Sequence, residues 1–376
     1  MRLLVTGGSG FLGGYVLAEA ARRGHSCVAL ARSAEAARTV VACGATAVTG
    51  DLDDGAALAD VFASAGCDAL VNLASLGFGH ASSIVRAASS SGLDRAVFVS
   101  TTAVTTALPA RSKTVRLAAE HDICSSGLKW TILRPTMIYG AVGDRNLSRL
   151  LALLARARRV PAPLVLPLPG GGGRLQQPVH VVDVAGAVLA AVERPQTAGR
   201  FYDVAGPEPL MFAELLRVSA AAVGCRVHLL PVPLAPVIAL TTGYERISRR
   251  PRLRAEQWQR LAEDKAFPID VAARDLGYAP RPFAEGIRAE AAVLGLTSPH
   301  PPASAPFSPA SPPHASPSSA PPVPPSRPSP EQSCLASPKA RWPPSLVNAC
   351  RCAARPGCCS APTPVRVTSR RSASPG

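Results

Sequence analysis

The chain has 376 residues, a formal net charge of +15 at pH 7 and 38 prolines. This length suffices for one large α/β domain or two smaller ones, and no uninterrupted apolar run reaches the roughly 18 residues of a transmembrane helix. The excess of basic residues is not accompanied by a nucleic-acid-binding motif, so we expect no specific nucleic-acid partner.

The composition changes near Leu296. The last 80 residues hold 21 of the 38 prolines and a single acidic residue, Glu331, and they carry +7 of the net charge. Such a segment buries too little apolar surface to offset its ordering entropy, so we predict a disordered tail over residues 297–376. Residues 1–296 are then the folded part of the chain.

Short apolar runs alternate with alanine-rich helical stretches through the first 140 residues. This alternation predicts an α/β fold with a Rossmann-type, doubly wound parallel sheet. The carboxyl ends of parallel strands share one edge of the sheet, where a ligand binds. The runs predicted as buried strands are residues 3–5, 27–31, 45–49, 69–73, 96–100 and 130–133.

A glycine-rich turn follows the first predicted strand, and a helix is predicted over residues 15–23. Gly7 permits the tight turn, Gly10 lets the backbone approach a pyrophosphate, and Gly13 allows the helix to pack closely. A strand, a glycine turn and a helix in this order predict a dinucleotide site with the phosphates at the helix N-terminus. The motif is Thr6-Gly7-Gly8-Ser9-Gly10-Phe11-Leu12-Gly13.

The ends of the second and third strands indicate which dinucleotide is bound. Arg32 stands where an NAD-specific fold carries an acid, and an arginine there pairs with a 2′-phosphate, so we expect NADP rather than NAD. A surface arginine in contact with solvent is the alternative. Asp51, followed by Leu52, either binds the adenine amino group or caps a helix.

The later strand ends add small and hydroxyl-bearing residues on the nicotinamide side of the predicted site. Three of them, Asn72, Leu73 and Ala74, follow the fourth strand where the cofactor crosses the sheet edge. Ser100 and Thr102 follow the fifth strand. Pro135, in an Arg-Pro-Thr sequence, follows the sixth.

These motifs occur together in one order, and the chain resembles the NAD(P)-dependent epimerase/dehydratase family of extended or atypical short-chain dehydrogenase/reductases. The resemblance covers nearly all of residues 1–296 and implies a Rossmann core over about 1–140 with a smaller α/β substrate lobe over about 141–296. Beyond the glycine turn, it rests on Gly50-Asp51-Leu52, Asn72-Leu73-Ala74, Phe98-Val99-Ser100-Thr101-Thr102, Leu133-Arg134-Pro135, residues 179–185 and residues 202–207.

One departure from the family limits what the resemblance implies about catalysis. The family has a catalytic tyrosine four residues before a lysine, and alignment on Glu120 puts Arg116 at the lysine and Ser112 at the tyrosine. No tyrosine occurs between Tyr15 and Tyr139. A serine hydroxyl is too weak an acid to replace the phenol.

Three residues remain as candidates for the chemistry. Lys113 acts as an alternative base if it is desolvated, and otherwise is a solvated helix lysine. Thr102, at the family's substrate-hydroxyl position, either orients a carbonyl or bonds to the backbone. Arg116 is expected to hold the cofactor ribose.

Two classes of function stay open. The first is an NADP(H)-dependent oxidoreductase or nucleotide-sugar epimerase-like enzyme acting on a small molecule, with epimerisation weaker because it needs the phenol. The second is a noncatalytic NADP(H)-binding sensor or scaffold, similar to NmrA-like redox sensors and to the nucleotide-binding accessory subunit of respiratory complex I. A monomer or a homodimer fits either class.

The substrate lobe contains fewer signals. We expect Asp183 to cap a helix over residues 184–192 and His180 to anchor the neighbouring loop. The apolar, proline-broken stretch 229–244 either packs in the lobe or contacts a membrane surface, a quinone or another hydrophobic substrate. Cysteines in residues 1–296 lack metal-ligand spacing, and no signal peptide precedes the first strand, so we expect no metal and a cytoplasmic location.

Overall fold

The computed structural model describes residues 1–108, 110–140, 143–144, 146–248, 258–259 and 263–297. The predicted tail, apart from Thr297, lies outside these residues. Within the described part of the chain, no helix combines the length and apolar character needed to cross a membrane.

Seven parallel strands form the central sheet: β1 (Arg2–Thr6), β2 (Ser26–Ala31), β3 (Thr46–Thr49), β4 (Ala69–Asn72), β5 (Arg95–Val99), β6 (Lys129–Pro135) and β11 (Arg200–Val204). Their order across the sheet is β3, β2, β1, β4, β5, β6, β11. The first six follow the order of a dinucleotide-binding Rossmann sheet. The predicted α/β class is confirmed and all six predicted strands are present. Sequence reasoning missed β11, in which Tyr202 and Val204 are buried while the other three residues of the strand are not.

Helices cover both faces of this sheet. One face carries α1 (Phe11–Arg22), α2 (Ala34–Ala42), α7 (Val181–Glu193) and α10 (Asp270–Leu276); the other carries α3 (Leu58–Ala65), α4 (Ala81–Ser90) and α5 (Arg111–Cys124). Side chains alternate along β1, so Leu3 and Val5 pack under the first set and Leu4 under the second. Burial on both faces explains why the strands are continuous apolar runs.

The remaining elements build a second, smaller core. Helices α6 (Leu147–Ala157), α8 (Phe212–Ala222) and α11 (Phe283–Val293) pack around Leu151, Leu215 and Ile287. The helix α9 (Leu234–Ile247) and three two-stranded sheets complete this lobe. The sheets pair β7 (Ile138–Tyr139) with β10 (Val179–His180), β8 (Leu164–Pro169) with β13 (Val227–Val232), and β9 (Leu175–Gln176) with β12 (Leu210–Met211).

The chain passes between the two cores more than once. After α6 and β8 it returns to the central sheet with α7 and β11, and α10 also packs on the sheet. The smaller lobe is therefore not one uninterrupted stretch of sequence.

Candidate nucleotide-binding site

The glycine turn joins β1 to α1 and presses against the neighbouring strand end. Gly7 has a positive φ of 72°, and a Cβ added there would lie 2.6 Å from the backbone nitrogen of Ala74. A Cβ on Gly13 would overlap the carbonyl oxygen of Gly8, so α1 packs on the turn itself. α1 begins at Phe11, four residues earlier than predicted, with Gly10 as its N-cap.

This arrangement meets the requirements of a dinucleotide pyrophosphate. Gly7, Gly10 and Gly13 leave space that side chains would fill, and the N-terminal N–H groups and the positive dipole end of α1 lie at the carboxyl edge of the sheet. The residues present therefore fit an NAD(P) cofactor.

Thr6 and Asn72 lock the ends of β1 and β4 together. Both residues are fully buried, the Thr6 hydroxyl donates to Asn72 Oδ1 at 2.6 Å, and Asn72 Nδ2 donates to the carbonyl oxygen of Ala74 at 3.1 Å. The backbone nitrogen of Leu73 donates to the carbonyl oxygen of Thr6 at 3.0 Å. The side chains of Thr6 and Asn72 thus fix the backbone after β4, against which the glycine turn packs.

Arg32 follows β2 at the same edge. Its side chain is exposed and makes no hydrogen bond or ion pair with any other residue that the structure describes. Ser33, the next residue, caps α2 by accepting a 3.2 Å hydrogen bond from Ala36 N. Arg32 is therefore placed beside a helix N-terminus with its five N–H donors unused by the described residues.

Asp51 lies after β3 in a local turn. Its Oδ1 accepts a 3.1 Å hydrogen bond from Asp53 N, whereas α3 begins only at Leu58 and Asp54 accepts from Ala57 N before it. The alternative that Asp51 caps a helix is therefore wrong. Leu52 packs against the core on the α3 side of the sheet.

Two hydroxyl groups follow β5. Ser100 Oγ is buried and has no hydrogen-bond partner among the described residues. Thr102 is also buried, and its hydroxyl donates to the carbonyl oxygen of Pro135 at 3.4 Å, close to the upper limit for a hydrogen bond. The Ser100 hydroxyl is therefore the one of the pair that the described residues leave unsatisfied.

The remaining candidate residues lie on the helix α5. Arg116 Nη1 donates to the carbonyl oxygen of Ser112 at 3.4 Å, and the Arg116 guanidinium lies against Gly77 in the short turn after β4. Glu120, one turn further, is buried and binds Arg134 of β6 with distances of 2.6 and 3.2 Å. This ion pair orients α5 with respect to the sheet.

Lys113 points toward the turn after β5. Its Nζ donates to the carbonyl oxygen of Thr106 at 2.5 Å. Thr106 donates its hydroxyl to Glu263 Oε2 at 2.5 Å, and Ala107 N donates to Glu263 Oε1 at 2.9 Å. Sequence reasoning missed Glu263, since no motif surrounds it and it meets this turn only through the tertiary fold.

The segment that contains Glu263 also reaches the smaller lobe. Asp264 binds Arg174 at 3.2 Å and accepts a 2.9 Å hydrogen bond from Leu175 N. Arg174 lines a cavity of about 110 Å³ whose other walls are mainly apolar, including Phe212, Leu234 and Trp258. Glu263 and Asp264 thus connect the turn after β5 to the wall of this cavity.

The prediction that Asp183 caps α7 is wrong. His180 is the N-cap, and its Nδ1 accepts a 3.3 Å hydrogen bond from Val182 N. Burial, with help from Arg281, lowers the pKa of His180 to about 4, so the ring is neutral at pH 7. Asp183 instead binds Arg281 at 2.9 Å and so ties α7 to the segment before α11.

A buried acid lies on the lobe side of the site. Glu290 of α11 has no exposed surface, and its burial together with the nearby Asp144 raises its pKa to about 8. Asp144 accepts hydrogen bonds from Asn146 N at 2.6 Å and from Leu147 N at 3.0 Å at the start of α6. Glu290 is therefore largely protonated at neutral pH.

Known proteins share both the sequence and the fold. Residues 7–148 match the sequence family described as NAD(P)H-binding. The 2-alkyl-3-oxoalkanoate reductase of Stenotrophomonas maltophilia is 31% identical over 343 residues, which cover 77% of this chain and 98% of the reductase. The 4-hydroxy-2-methyl-3-oxo-4-farnesyl-3,4-dihydroquinoline-1-oxide ketoreductase of Stigmatella aurantiaca is 28% identical over 320 residues, 75% of this chain and 92% of the ketoreductase.

The fold is also that of a solved epimerase. The UDP-glucose 4-epimerase of Thermus thermophilus, determined in complex with NAD, superposes with a TM-score of 0.59 at 23% identity, over 78% of this chain and 99% of the epimerase. The parallel sheet and its glycine turn define an NAD(P)-binding Rossmann protein. The chain belongs to the NAD(P)-dependent epimerase/dehydratase family of short-chain dehydrogenase/reductases.

Proposed function

We propose that this protein is an NADP(H)-dependent reductase that converts a carbonyl group of a hydrophobic substrate to an alcohol. The observation that carries the proposal is the pair of buried hydroxyl groups, Ser100 and Thr102, at the same sheet edge as the glycine turn. A protein that only bound the adenine half of the cofactor would not need them. Two relatives that match over nearly their full length, the ketoreductase and the 2-alkyl-3-oxoalkanoate reductase, are reductases of oxo compounds by name.

Each residue of the site has its own role in the proposed reaction. The glycine turn and α1 bind the pyrophosphate of the cofactor, and Arg32 pairs with its 2′-phosphate. The Ser100 hydroxyl binds the cofactor on its nicotinamide side. When bound, the cofactor supplies the hydride that reduces the carbonyl carbon. Thr102 orients the carbonyl oxygen, which must gain a proton to become the alcohol.

Lys113 is the proposed proton donor. An ammonium group has three N–H donors, so the hydrogen bond to Thr106 leaves two of them for a substrate oxygen. Ser112, at the position of the family's tyrosine, is too weak an acid for this role. The apolar cavity beside Phe212 and Leu234 suits an alkyl part of the substrate.

A turnover assay tests the proposal. Purified protein is mixed with NADPH and a 2-alkyl-3-oxoalkanoate, NADPH oxidation is followed by absorbance, and the hydroxy product is identified by mass spectrometry. Thr102→Ala is expected to lower kcat while NADPH affinity is retained. Product formation that is unaffected in Thr102→Ala would remove Thr102 from the mechanism, and a product other than the alcohol would contradict the proposed reaction.

A second candidate is a noncatalytic NADP(H)-binding sensor or scaffold. It is favoured by one observation: Lys113 Nζ is engaged with the backbone of Thr106. The expectation that Ser112 replaces the family's tyrosine agrees with it. In that case NADPH raises the melting temperature of the protein, yet no oxo substrate is reduced. The two readouts, thermal shift and product formation, separate the candidates.

A further inference from the structure

The helix α9 presents an apolar side to solvent. Leu240 is 76% exposed and Ile247 is 87% exposed, and their spacing of seven residues places them on one face of the helix. Tyr244, 41% exposed, lies between them on the same face. Scattered exposed apolar residues are normal, but an aligned set on one helix face is typical of an interaction surface.

Another side of α9 is attached to the lobe. Thr241 is the one buried residue of this helix, and its hydroxyl oxygen accepts a 3.0 Å hydrogen bond from Trp258 Nε1. Leu234, at the start of α9, forms part of the wall of the small cavity. The helix is therefore fixed to the protein along one side while its face with Leu240 and Ile247 remains outside.

The sequence at the end of α9 is strongly basic. Arg246 is exposed in the last turn of α9, next to Glu245, and in the sequence residues 245–260 contain six arginines and two glutamates. Anionic phospholipid surfaces offer both acyl chains for apolar side chains and negative headgroups for arginines. A helix of 14 residues is long enough to lie in the interface.

We propose that α9 docks this protein on an anionic membrane surface, with Leu240 and Ile247 inserted at the level of the acyl chains and Arg246 at the headgroups. The docking does not depend on the reductase activity proposed above, since it uses none of the residues at the nucleotide site. It also gives a hydrophobic substrate a short route from the lipid to the lobe.

Vesicle flotation of the full chain tests this proposal. Phosphatidylcholine vesicles with and without one third phosphatidylglycerol are compared at low and high salt, for the parent protein and for a Leu240→Ser/Ile247→Ser variant. We expect binding to the anionic vesicles only, weakened by salt, and roughly tenfold or more weaker in the variant because two apolar side chains no longer insert. The matched control is Leu153→Ser/Val293→Ser, which removes two exposed apolar side chains from α6 and α11 and should bind like the parent.

Other results would overturn the proposal. Equal binding of the parent and the α9 variant, or equal binding to both kinds of vesicle, contradicts docking through this face. A second copy of the chain is the other occupant to test: if sedimentation equilibrium finds a dimer of the parent and a monomer of the α9 variant, the face is a subunit interface. Unchanged melting temperatures of all variants show that folding is not the cause.

Discussion

Lys113 Nζ and the carbonyl oxygen of Thr106 are 2.5 Å apart and share a hydrogen bond. Because Thr106 also donates its hydroxyl to Glu263, the lysine, the turn after β5 and the segment before α10 form one chain of contacts. The lysine thus has a fixed position beside the turn that begins at Thr102. It either donates a proton there or only holds the turn.

Substitution of Lys113 separates these roles. Lys113→Met removes the donor and is expected to lower kcat by about 10²–10⁴, the range for a general acid. Lys113→Arg keeps N–H donors for Thr106 but cannot release a proton near neutral pH. If the lysine donates the proton, both variants lose turnover, and if it only holds the turn, the arginine variant keeps most of it. NADPH affinity, measured by fluorescence titration, should change little in either.

Arg32→Ala tests cofactor selection. Loss of a charged hydrogen bond to the 2′-phosphate is expected to weaken NADPH binding by about 1–3 kcal/mol and to leave NADH binding nearly unchanged. Arg217→Ala, an exposed arginine on α8, is the control and should bind both cofactors like the parent. A parent protein that binds NADH more tightly than NADPH would contradict the assignment of Arg32.

Gly7→Ala tests the close approach of the glycine turn to β4. The added methyl group would lie 2.6 Å from Ala74 N, so we expect loss of both stability and NADPH affinity. Gly92→Ala is a matched control, since Gly92 has a similar φ of 77° but open space around it. It should show only the cost of the left-handed backbone, about 1 kcal/mol, and keep NADPH affinity. Similar losses in both variants would show that contact with Ala74 is unimportant.

Glu290 predicts a fall of stability as the pH rises from about 4.5 to about 8. Its pKa is about 8 in the folded protein and 4.5 in the reference state, so the folded state holds the proton more tightly and stability decreases as pH rises between these values. Glu290→Gln should be more stable than the parent above pH 8, by an amount on the order of a few kcal/mol. Melting curves from about pH 5 to about pH 9 test this, because His180, with a pKa lowered to about 4, is largely neutral over that range. Glu285→Gln, a glutamate on the same helix that is not buried, should not produce the gain.

The predicted boundary of the folded part can be tested with two truncations. The carbonyl oxygen of Leu296 accepts a 2.7 Å hydrogen bond from Arg158, and its side chain packs on the lobe core. A chain that ends at Thr297 is therefore expected to keep the melting temperature and NADPH affinity of the full chain. A chain that ends at Val293 should melt lower. Cooperative loss of stability in the chain that ends at Thr297 would show that residues 298–376 belong to the fold.

The sequence by itself determined the parallel sheet and the nucleotide motif of this protein. Strands buried on both faces appear as apolar runs, and a turn of positive φ packed on its neighbours requires glycine, so both leave local signals. The helix that follows the glycine turn could also be predicted from local sequence. Its start at Phe11 could not, because its N-cap, Gly10, has no side chain that would signal a cap.

Only the tertiary structure decided which polar residues meet at the site. Glu263 and Thr106 are 157 positions apart, and Arg281 binds Asp183 across 98 positions, so no local pattern indicates either contact. The sequence predicted Asp183 as a helix cap because an acid before a helix is a common cap. In the structure the Asp183 carboxylate binds the distant Arg281, and His180 is the N-cap instead. Periodicity and turn chemistry act between neighbours in sequence, whereas hydrogen bonds and ion pairs at the site join residues that only the folded chain brings together.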